Sequence, residues 1–375
     1  MVATLNIFII IFPAQSLAAA RSGLVLWAQS VLPGVLPFVV GANMLVALGA
    51  AGLLGTALAP VMRGIFKIPG AGGFALAVGL ISGYPVGAKV VCEMRLQGDL
   101  TRMQAQRLAA FANNAGPLFI LGAVAVGMFG NSHLGYFILA VHYMGAVAVG
   151  FCMRFYGAKK EREEKSGLEN RRTINRDNRG FGQIFGQAVM NAVEPMLLVG
   201  GFIVLFSVIS AILSLSGAYD AVSVLLTPVL DLLNIPKPMH TGFLAGLVEM
   251  TNGLAMIGDH GINRITVAIS SGIISFGGLS VLFQSINFIG KTDINVPLYV
   301  ACKLAHGVFS AIFALVLYPF FTHVIESPRA IAVYSHGAAS RLAHSTMYFA
   351  IIMAVLAAIS ATTIILKTIR KNRGI

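Results

Sequence analysis

Apolar stretches, each about as long as a membrane crossing, recur from one end of this 375-residue chain to the other. An α-helix needs roughly 20 predominantly apolar residues to cross the hydrocarbon core of a bilayer. The chain is 57% hydrophobic and only 11% charged, whereas soluble domains carry about 25% charged residues. The sequence therefore predicts an all-α polytopic membrane protein and argues against a soluble helical fold.

Hydrophobic length places the individual crossings. We predict about eight of them, at 3–20, 24–49, 105–128, 133–153, 193–215, 266–289, 296–322 and 344–367. Residues 1–20 lack a basic start, so we interpret them as a membrane helix rather than a cleaved signal. The predicted organisation is an N-terminal membrane helix (1–23), a first repeat (24–155), a basic linker (156–180), a second repeat (181–322), and a C-terminal membrane helix with a basic tail (323–375).

Positive charge is concentrated in two places. Residues 154–179 hold nine Lys/Arg and five Asp/Glu, and the tail from Lys367 onward holds four basic residues and no acid, so each contributes +4 of the net +12. Cytoplasmic loops of membrane proteins carry this excess of Lys and Arg. We therefore expect the linker and the C-terminus in the cytoplasm, and we do not expect a nucleic-acid partner.

Two amphipathic segments are too charged to cross the membrane. Residues 52–67 and 218–234 mix apolar residues with charged ones, which is typical of interfacial helices.

Two further segments are apolar but interrupted. Residues 71–98 break at Ser82-Gly83-Tyr84-Pro85, and residues 239–263 break at Thr251-Asn252-Gly253. Irregular backbone at membrane depth is tolerated only inside protein or beside a wet cavity. Each segment is therefore predicted to be a re-entrant hairpin of two short helices.

These elements recur in the same order in both halves of the chain. The matched motifs are Leu58-Ala59-Pro60 with Leu226-Thr227-Pro228, Ile68-Pro69 with Ile235-Pro236, Gly73-Phe74-Ala75-Leu76 with Gly242-Phe243-Leu244-Ala245, and Ala115-Gly116-Pro117-Leu118 with Phe276-Gly277-Gly278-Leu279. Counting crossings from a cytoplasmic linker makes hairpin 71–98 enter from the cytoplasm and hairpin 239–263 from the outer face. The expected fold is two inverted repeats, each with a re-entrant hairpin and a discontinuous helix, as in secondary transporters.

A substrate site is expected where the broken elements converge, because broken helices expose free N–H groups at one end and free C=O groups at the other. The adjacent amides Asn113 and Asn114 are the most informative pair, since buried amides are costly unless hydrogen-bonded. Packing between helices is the alternative role for this pair. The predicted substrate-binding residues are Ser82, Gly83, Tyr84, Pro85, Lys89, Asn113, Asn114, Gly116, Thr251, Asn252, Gly277 and Gln284.

Charged side chains inside a membrane usually line a pathway or pair with one another. Glu249 is the acid in the second hairpin, and it either couples transport to H⁺ or Na⁺ or pairs with a lysine. Lys89 follows the first break by one turn, where it would bind an anionic substrate or pair with Glu249. Lys303 and His306 share one helix face, and an ion pair or snorkelling explains them at least as well as a functional role. His133 and His142 are expected to be interface or packing residues.

Nothing in the sequence indicates an enzyme or a metal centre. The three cysteines form no CxxC pair, and no catalytic motif stands in a suitable context. The expected partners are a small-molecule substrate and the lipid bilayer. No cofactor is predicted beyond a coupling ion, and the sequence is compatible with a homo-oligomer.

Two motifs carry a family resemblance. Residues Ser82–Lys89 and Asn113–Ile120 resemble those of sporulation integral membrane proteins of the YlbJ type, which are similar to nucleoside-recognition (Gate) domain proteins and to concentrative nucleoside transporters. The resemblance covers most of residues 24–322. It implies a transporter fold with paired hairpins and, in the sporulation branch, movement of dipicolinate towards the developing spore. A nucleoside transporter and a membrane scaffold or sensor that does not transport are the alternatives.

Overall fold

The computed structural model describes residues 2–47, 50–158 and 180–325, and the regular structure in these ranges is entirely helical. This confirms the predicted all-α class. The predicted crossing at 344–367 and nearly all of the 156–180 linker lie outside the described residues.

The helices of the first half are α1 (Val2–Ile11), α2 (Pro13–Leu26), α3 (Leu32–Ala47), α4 (Ala50–Val61), α5 (Gly72–Ser82), α6 (Val86–Leu96), α7 (Arg102–Ala112) and α8 (Ser132–Met153). Three π-helical segments accompany them, at Trp27–Val31, Met62–Phe66 and Phe119–Met128. The helices of the second half are α9 (Phe181–Leu215), α10 (Ala218–Leu232), α11 (His240–Val248), α12 (Met250–Gly258), α13 (Arg264–Phe276), α14 (Gly278–Ile289) and α15 (Val296–Ile325), with one 3₁₀ turn at Lys237–Met239.

Four helical stretches of the described chain are long and apolar enough to cross a bilayer. They are Ser132–Met153, Phe181–Leu215, Arg264–Ile289 and Val296–His323. Each corresponds to a predicted crossing. The predicted crossing at 105–128 is discontinuous: α7 stops at Ala112, and π-helical geometry begins at Phe119.

The predicted break between crossings 3–20 and 24–49 is wrong. The helix runs without interruption from Pro13 through α2, a π-helical turn and α3 to Ala47. Gly23 is buried, and a Cβ atom added to it would lie 2.8 Å from Ser207 Oγ. Glycine at this position therefore lets α2 pack closely on α9 and does not form a turn, so the domain boundary predicted after residue 23 falls inside a helix.

This long N-terminal helix packs against α9. The Trp27 indole donates to the Met196 carbonyl at 3.0 Å, and the Asn43 amide donates to the Ala188 carbonyl at 3.1 Å. Trp27 precedes Asn43 in the chain, whereas its partner Met196 follows Ala188, so the two helices are antiparallel.

A second pair, α8 and α15, is arranged in the same way. The Phe137 ring contacts the Tyr318 ring with centroids 6.2 Å apart, and the rings of His142 and His306 lie 4.7 Å apart. These helices are also antiparallel. In both pairs, one helix from each half meets its counterpart.

The surface of α15 is apolar and its inner face is polar. An exposed stripe of apolar side chains follows one helix face, at Leu304, Val308, Ile312, Val316 and Phe320. The opposite face buries three polar side chains completely, at Lys303, His306 and Ser310. Polar side chains of membrane helices face the bundle interior, and this helix follows that pattern.

The elements after the first long helix recur in one order in each half. An apolar helix (α4 or α10) is followed by a hairpin (α5–α6 or α11–α12). A broken helix (α7 with the Phe119–Met128 segment, or α13–α14) and a full-length helix (α8 or α15) come next.

The second hairpin breaks two residues earlier than predicted. α11 ends at Val248 and α12 starts at Met250, so the break is at Glu249 and not at Thr251–Gly253. The Glu249 carboxylate accepts hydrogen bonds from the backbone N–H groups of Thr251 (3.1 Å) and Asn252 (2.8 Å). A carboxylate in this position caps a helix N-terminus. The predicted break residues therefore form the first turn of α12.

Candidate functional site

In each half, the break of the hairpin lies against the break of the discontinuous helix. A Cβ atom on Gly83 would lie 2.7 Å from the Gly116 amide nitrogen, and one on Gly278 would lie 3.2 Å from the Met250 amide nitrogen. Each hairpin break thus contacts the broken helix of its own half. The approach is so close that a side chain at either glycine would force the backbones apart.

Tyr84 connects the two halves. Its side chain is buried at the first hairpin break, and its hydroxyl lies 3.1 Å from the Ile274 carbonyl oxygen and 3.0 Å from the Ser275 carbonyl oxygen. Both carbonyls belong to the last turn of α13, where helical C=O groups lack partners within the helix. The tip of the first hairpin is therefore hydrogen-bonded to the C-terminal end of α13 in the second half.

Asn113 is fully buried at the end of α7, and its side chain is satisfied by protein groups. Its amide nitrogen donates to Ser285 Oγ (2.8 Å) and Tyr299 Oη (2.7 Å), and its oxygen accepts from the Ala88 N–H at 3.3 Å. Asn113 thus joins α6, α14 and α15.

Asn114 differs from its neighbour. Its amide nitrogen donates to the Phe111 carbonyl at 2.8 Å, whereas its buried oxygen has no partner in the described part of the chain. Buried polar atoms usually have a hydrogen-bond partner. The Asn114 oxygen is therefore a buried acceptor that no group in the described residues satisfies.

Lys303 lies at the centre of the cluster and is completely buried. Its ammonium nitrogen lies 2.9 Å from Tyr84 Oη, 3.0 Å from the Asn113 carbonyl oxygen and 3.0 Å from His306 Nδ1. Within the described ranges, no carboxylate lies within 4 Å of this nitrogen. The interpretation as an ion pair or a snorkelling side chain is therefore wrong.

His142 extends the cluster on the other side of Lys303. The Ala115 N–H lies 3.1 Å from His142 Nε2, so Nε2 is the acceptor and Nδ1 carries the proton. Nδ1 donates to Ser275 Oγ at 2.7 Å, and Ser275 donates to Ser310 Oγ at 2.8 Å. His142 therefore hydrogen-bonds both broken helices, and its role goes beyond the packing that we expected.

The predicted pairing of Lys89 with Glu249 is wrong. The Lys89 ammonium donates to the Asn191 carbonyl at 3.1 Å and lies 3.7 Å from a Glu93 carboxylate oxygen, one turn along the same helix. Glu249 uses its carboxylate to cap α12 instead. The buried lysine at the breaks is Lys303, not Lys89.

The structure brings some of the predicted residues together and leaves others apart. Gly83, Tyr84, Asn113 and Gly116 meet at the first pair of breaks, and Gly277 lies beside the Tyr84 ring. Ser82 and Pro85 are buried in the same hairpin tip. Gln284 is buried on α14, where its nitrogen reaches Ser280 Oγ at 3.4 Å.

The prediction missed Tyr299 and Ser310, and it did not select Lys303 and His306. A signal was present in the sequence. Lys303, His306 and Ser310 stand at spacings of three and four on an otherwise apolar helix, which places them on one face.

Comparison with known proteins gives one strong similarity. The chain is 37% identical over 328 residues to the sporulation integral membrane protein YlbJ of Bacillus subtilis (strain 168), which covers 84% of this chain and 80% of that protein. No protein-family model and no solved structure matches the chain. At this identity and coverage, the chain belongs to the YlbJ family of sporulation integral membrane proteins.

Proposed function

We propose that this protein is a secondary transporter that moves a small organic solute across a membrane during spore formation. The observation that carries the proposal is the convergence of hairpin tips and broken helices from both halves on one buried polar cluster. Secondary transporters place substrate and coupling-ion sites at such broken helices. The sporulation context follows from the family.

The contacts support two repeats of opposite orientation. Contacts between the halves occur in reciprocal pairs: α8 packs on α13 where α15 packs on α7, and α6 packs on α14 where α12 packs on the Phe119–Met128 segment. The two antiparallel pairs of long helices fit the same arrangement. We propose that the linker 156–180 and the C-terminus are cytoplasmic and that the membrane is the cell or forespore membrane.

Cysteine labelling tests this orientation. In a background without the three native cysteines, a cysteine placed in 160–178 should react only from the cytoplasmic side, and one placed in 129–132 only from the outer side. Reaction of both from one side would contradict the inverted arrangement.

The proposed substrate is an aromatic carboxylate such as dipicolinate, which the family resemblance implies. The helix α14, which begins at the second break, has no side-chain cap, whereas Glu249 caps α12 and the Asn113 oxygen accepts from the Ala88 N–H in the first turn of α6. Uncapped helix N-termini present N–H groups and partial positive charge to anions. We also propose that the chain is related to nucleoside-recognition (Gate) domain proteins.

One observation favours a nucleoside instead. The unpartnered Asn114 oxygen is an acceptor, and it would bind an N–H or O–H group of a base or ribose. A carboxylate offers no such donor once it is ionised.

Uptake by proteoliposomes separates these functions. Labelled dipicolinate should accumulate and labelled uridine should not, whereas the reverse result would establish the nucleoside alternative. Uptake of neither would leave a scaffold or sensor.

Asn114→Ala should abolish uptake with unchanged membrane abundance, and Asn191→Ala is the matched control because Asn191 is exposed on α9.

A further inference from the structure

Lys303 is a fully buried lysine whose hydrogen bonds all end on protein acceptors. Its three partners are Tyr84 Oη, the Asn113 carbonyl oxygen and His306 Nδ1, each within 3.0 Å. An ammonium has three donors and no acceptor. Three acceptors around one nitrogen therefore match –NH₃⁺.

The bonding of these partners supports the same assignment. His306 Nε2 lies 2.9 Å from the His142 carbonyl oxygen, which can only accept, so Nε2 carries the imidazole proton and Nδ1 is an acceptor. An aliphatic amine is far more basic than an imidazole. The proton between Lys303 and His306 therefore belongs to the lysine.

The hydrogen bonds of the Tyr84 hydroxyl also leave an acceptor facing Lys303. Its hydroxyl proton points to the Ile274 or Ser275 carbonyl oxygen, which leaves the hydroxyl oxygen free to accept from Lys303. The ammonium also lies 4.7 Å from the centroid of the Tyr84 ring, a distance at which aromatic rings attract cations.

Two helix C-termini provide the negative charge that a carboxylate would otherwise provide. α7 ends at Ala112, and the next carbonyl, that of Asn113, contacts the ammonium directly. The last turn of α13 acts through the Tyr84 hydroxyl. Each helix C-terminus carries about half an elementary negative charge. The ends of two half-helices together thus balance one monovalent cation.

Carbonyls of unwound backbone and C-terminal ends of half-helices are the groups that coordinate coupling cations in secondary transporters. We propose that the Lys303 ammonium occupies a cation site of this kind, so that the protein binds no Na⁺ there. All three donors of Lys303 are used by the protein, so the lysine stabilises the broken helices and is not a direct ligand of the substrate. The inference depends on the proposed transport function only for its consequence, which is uptake that does not require Na⁺.

Thermal unfolding of the purified full-length protein in detergent tests the cation site without a transport assay. The wild type is compared in NaCl and in choline chloride at equal ionic strength, and a Na⁺ site would raise the Tm in NaCl. Lys303→Ala removes the ammonium and leaves space, which Na⁺ or ethylammonium can enter. Lys303→Met removes the charge but keeps the space filled. Lys291→Ala is the matched control, because Lys291 is exposed and its ammonium lies over the Phe288 ring, 5.8 Å from the centroid.

For the wild type and for Lys291→Ala, we expect the Tm in NaCl to equal the Tm in choline chloride. Lys303→Ala should unfold several degrees lower in choline chloride and recover part of that loss with NaCl or ethylammonium chloride, whereas Lys303→Met should not recover. Stabilisation of the wild type by Na⁺ would overturn the inference, as would equal responses of the Ala and Met variants. If Lys303→Ala yields no folded protein in choline chloride, NaCl or ethylammonium chloride present during purification should restore it, and failure to restore it would overturn the inference.

Failure of the proposed function gives a different result. A protein that does not transport would show no uptake by the wild type together with the expected stability pattern. A transporter with a true Na⁺ site would show Na⁺-stimulated uptake together with Na⁺-dependent stability.

Discussion

The ends of the two broken helices α7 and α13 receive different side chains from the long helices beside them. At the end of α7, α15 places Lys303 in contact with the Asn113 carbonyl oxygen. At the end of α13, α8 places His142 in contact with Ser275 Oγ. Both side chains are completely buried. One helix end therefore contacts a full positive charge, and the other contacts a neutral imidazole.

The two hairpin tips differ as well. Tyr84 in the first tip hydrogen-bonds the other half of the molecule, whereas Glu249 in the second tip caps its own hairpin helix. The same order of elements thus gives a contact between the two halves at the first tip and a contact within the hairpin at the second tip. The first tip contacts Lys303 of the other half, whereas in the described ranges no lysine ammonium lies within 4 Å of the Glu249 carboxylate.

The largest effect is expected from the charge itself. Lys303→Met leaves the Asn113 carbonyl, the Tyr84 oxygen and His306 Nδ1 without their donor, and each unsatisfied buried group costs about 1–3 kcal/mol. Uptake into proteoliposomes should fall to the level of empty liposomes. His142→Gln removes no charge, so a loss of roughly tenfold or less is expected, equivalent to about 1.4 kcal/mol. Equal losses in both variants would show that the two helix ends are equivalent.

Tyr84→Phe tests the contact between halves. Loss of the hydroxyl removes one acceptor from the Lys303 ammonium and one donor from the last turn of α13. We expect the free energy of unfolding to fall by about 1–3 kcal/mol, measured by chemical denaturation in detergent. Tyr136→Phe is the control, because Tyr136 is 61% exposed on α8. Equal stability of the two variants would exclude a structural role for the Tyr84 hydroxyl.

The membrane class, the hairpin 71–98 and the breaks at Asn113 and Gly277 were predictable, because they depend on local signals: long apolar runs, Gly and Pro. The N-terminal break was not. Glycine at position 23 signals either a turn or close packing, and only the position of Ser207 on a distant helix decides between them.

The centre of the site was predictable only in part. Asn113 and Tyr84 stand at breaks that the sequence marks, but Lys303 is 190 residues from Asn113 in the chain. The partner of a buried charge depends on which helices meet. This is also why Lys89, close to the first break in sequence, was preferred to Lys303.

A smaller effect is expected at the second hairpin tip. In Glu249→Gln, the side chain keeps one oxygen acceptor and loses the negative charge that favours a helix N-terminus. Stability should fall by about 1 kcal/mol, and the loss should be independent of a Lys303 substitution. The double variant Glu249→Gln with Lys303→Met measures this by thermal unfolding in detergent. Additive changes support separate tips, and strong coupling would show that the glutamate and the lysine act together.

The smallest effect is expected at the Arg95–Asp293 ion pair, which joins the end of α6 to the loop before α15. Arg95 donates twice to the Asp293 carboxylate, at 2.9 and 2.7 Å, and this hydrogen bonding is the main reason that the pKa of Asp293 lies below its ordinary value. A carboxyl group whose pKa is lower in the folded state stabilises the fold above its unfolded pKa, about 3.9, and the contribution is lost as the pH falls through the folded value.

The pair is partly exposed, with 44% of the Asp293 side chain accessible, so Asp293→Asn should cost less than about 1 kcal/mol at pH 7. The difference from the wild type should shrink in high salt and disappear once the pH falls below the lowered pKa of Asp293. Asp231→Asn, which changes an exposed carboxylate on α10, is the control. A loss at Asp293 that persists below that pKa would mean that the aspartate stabilises this loop through its shape and not through its charge.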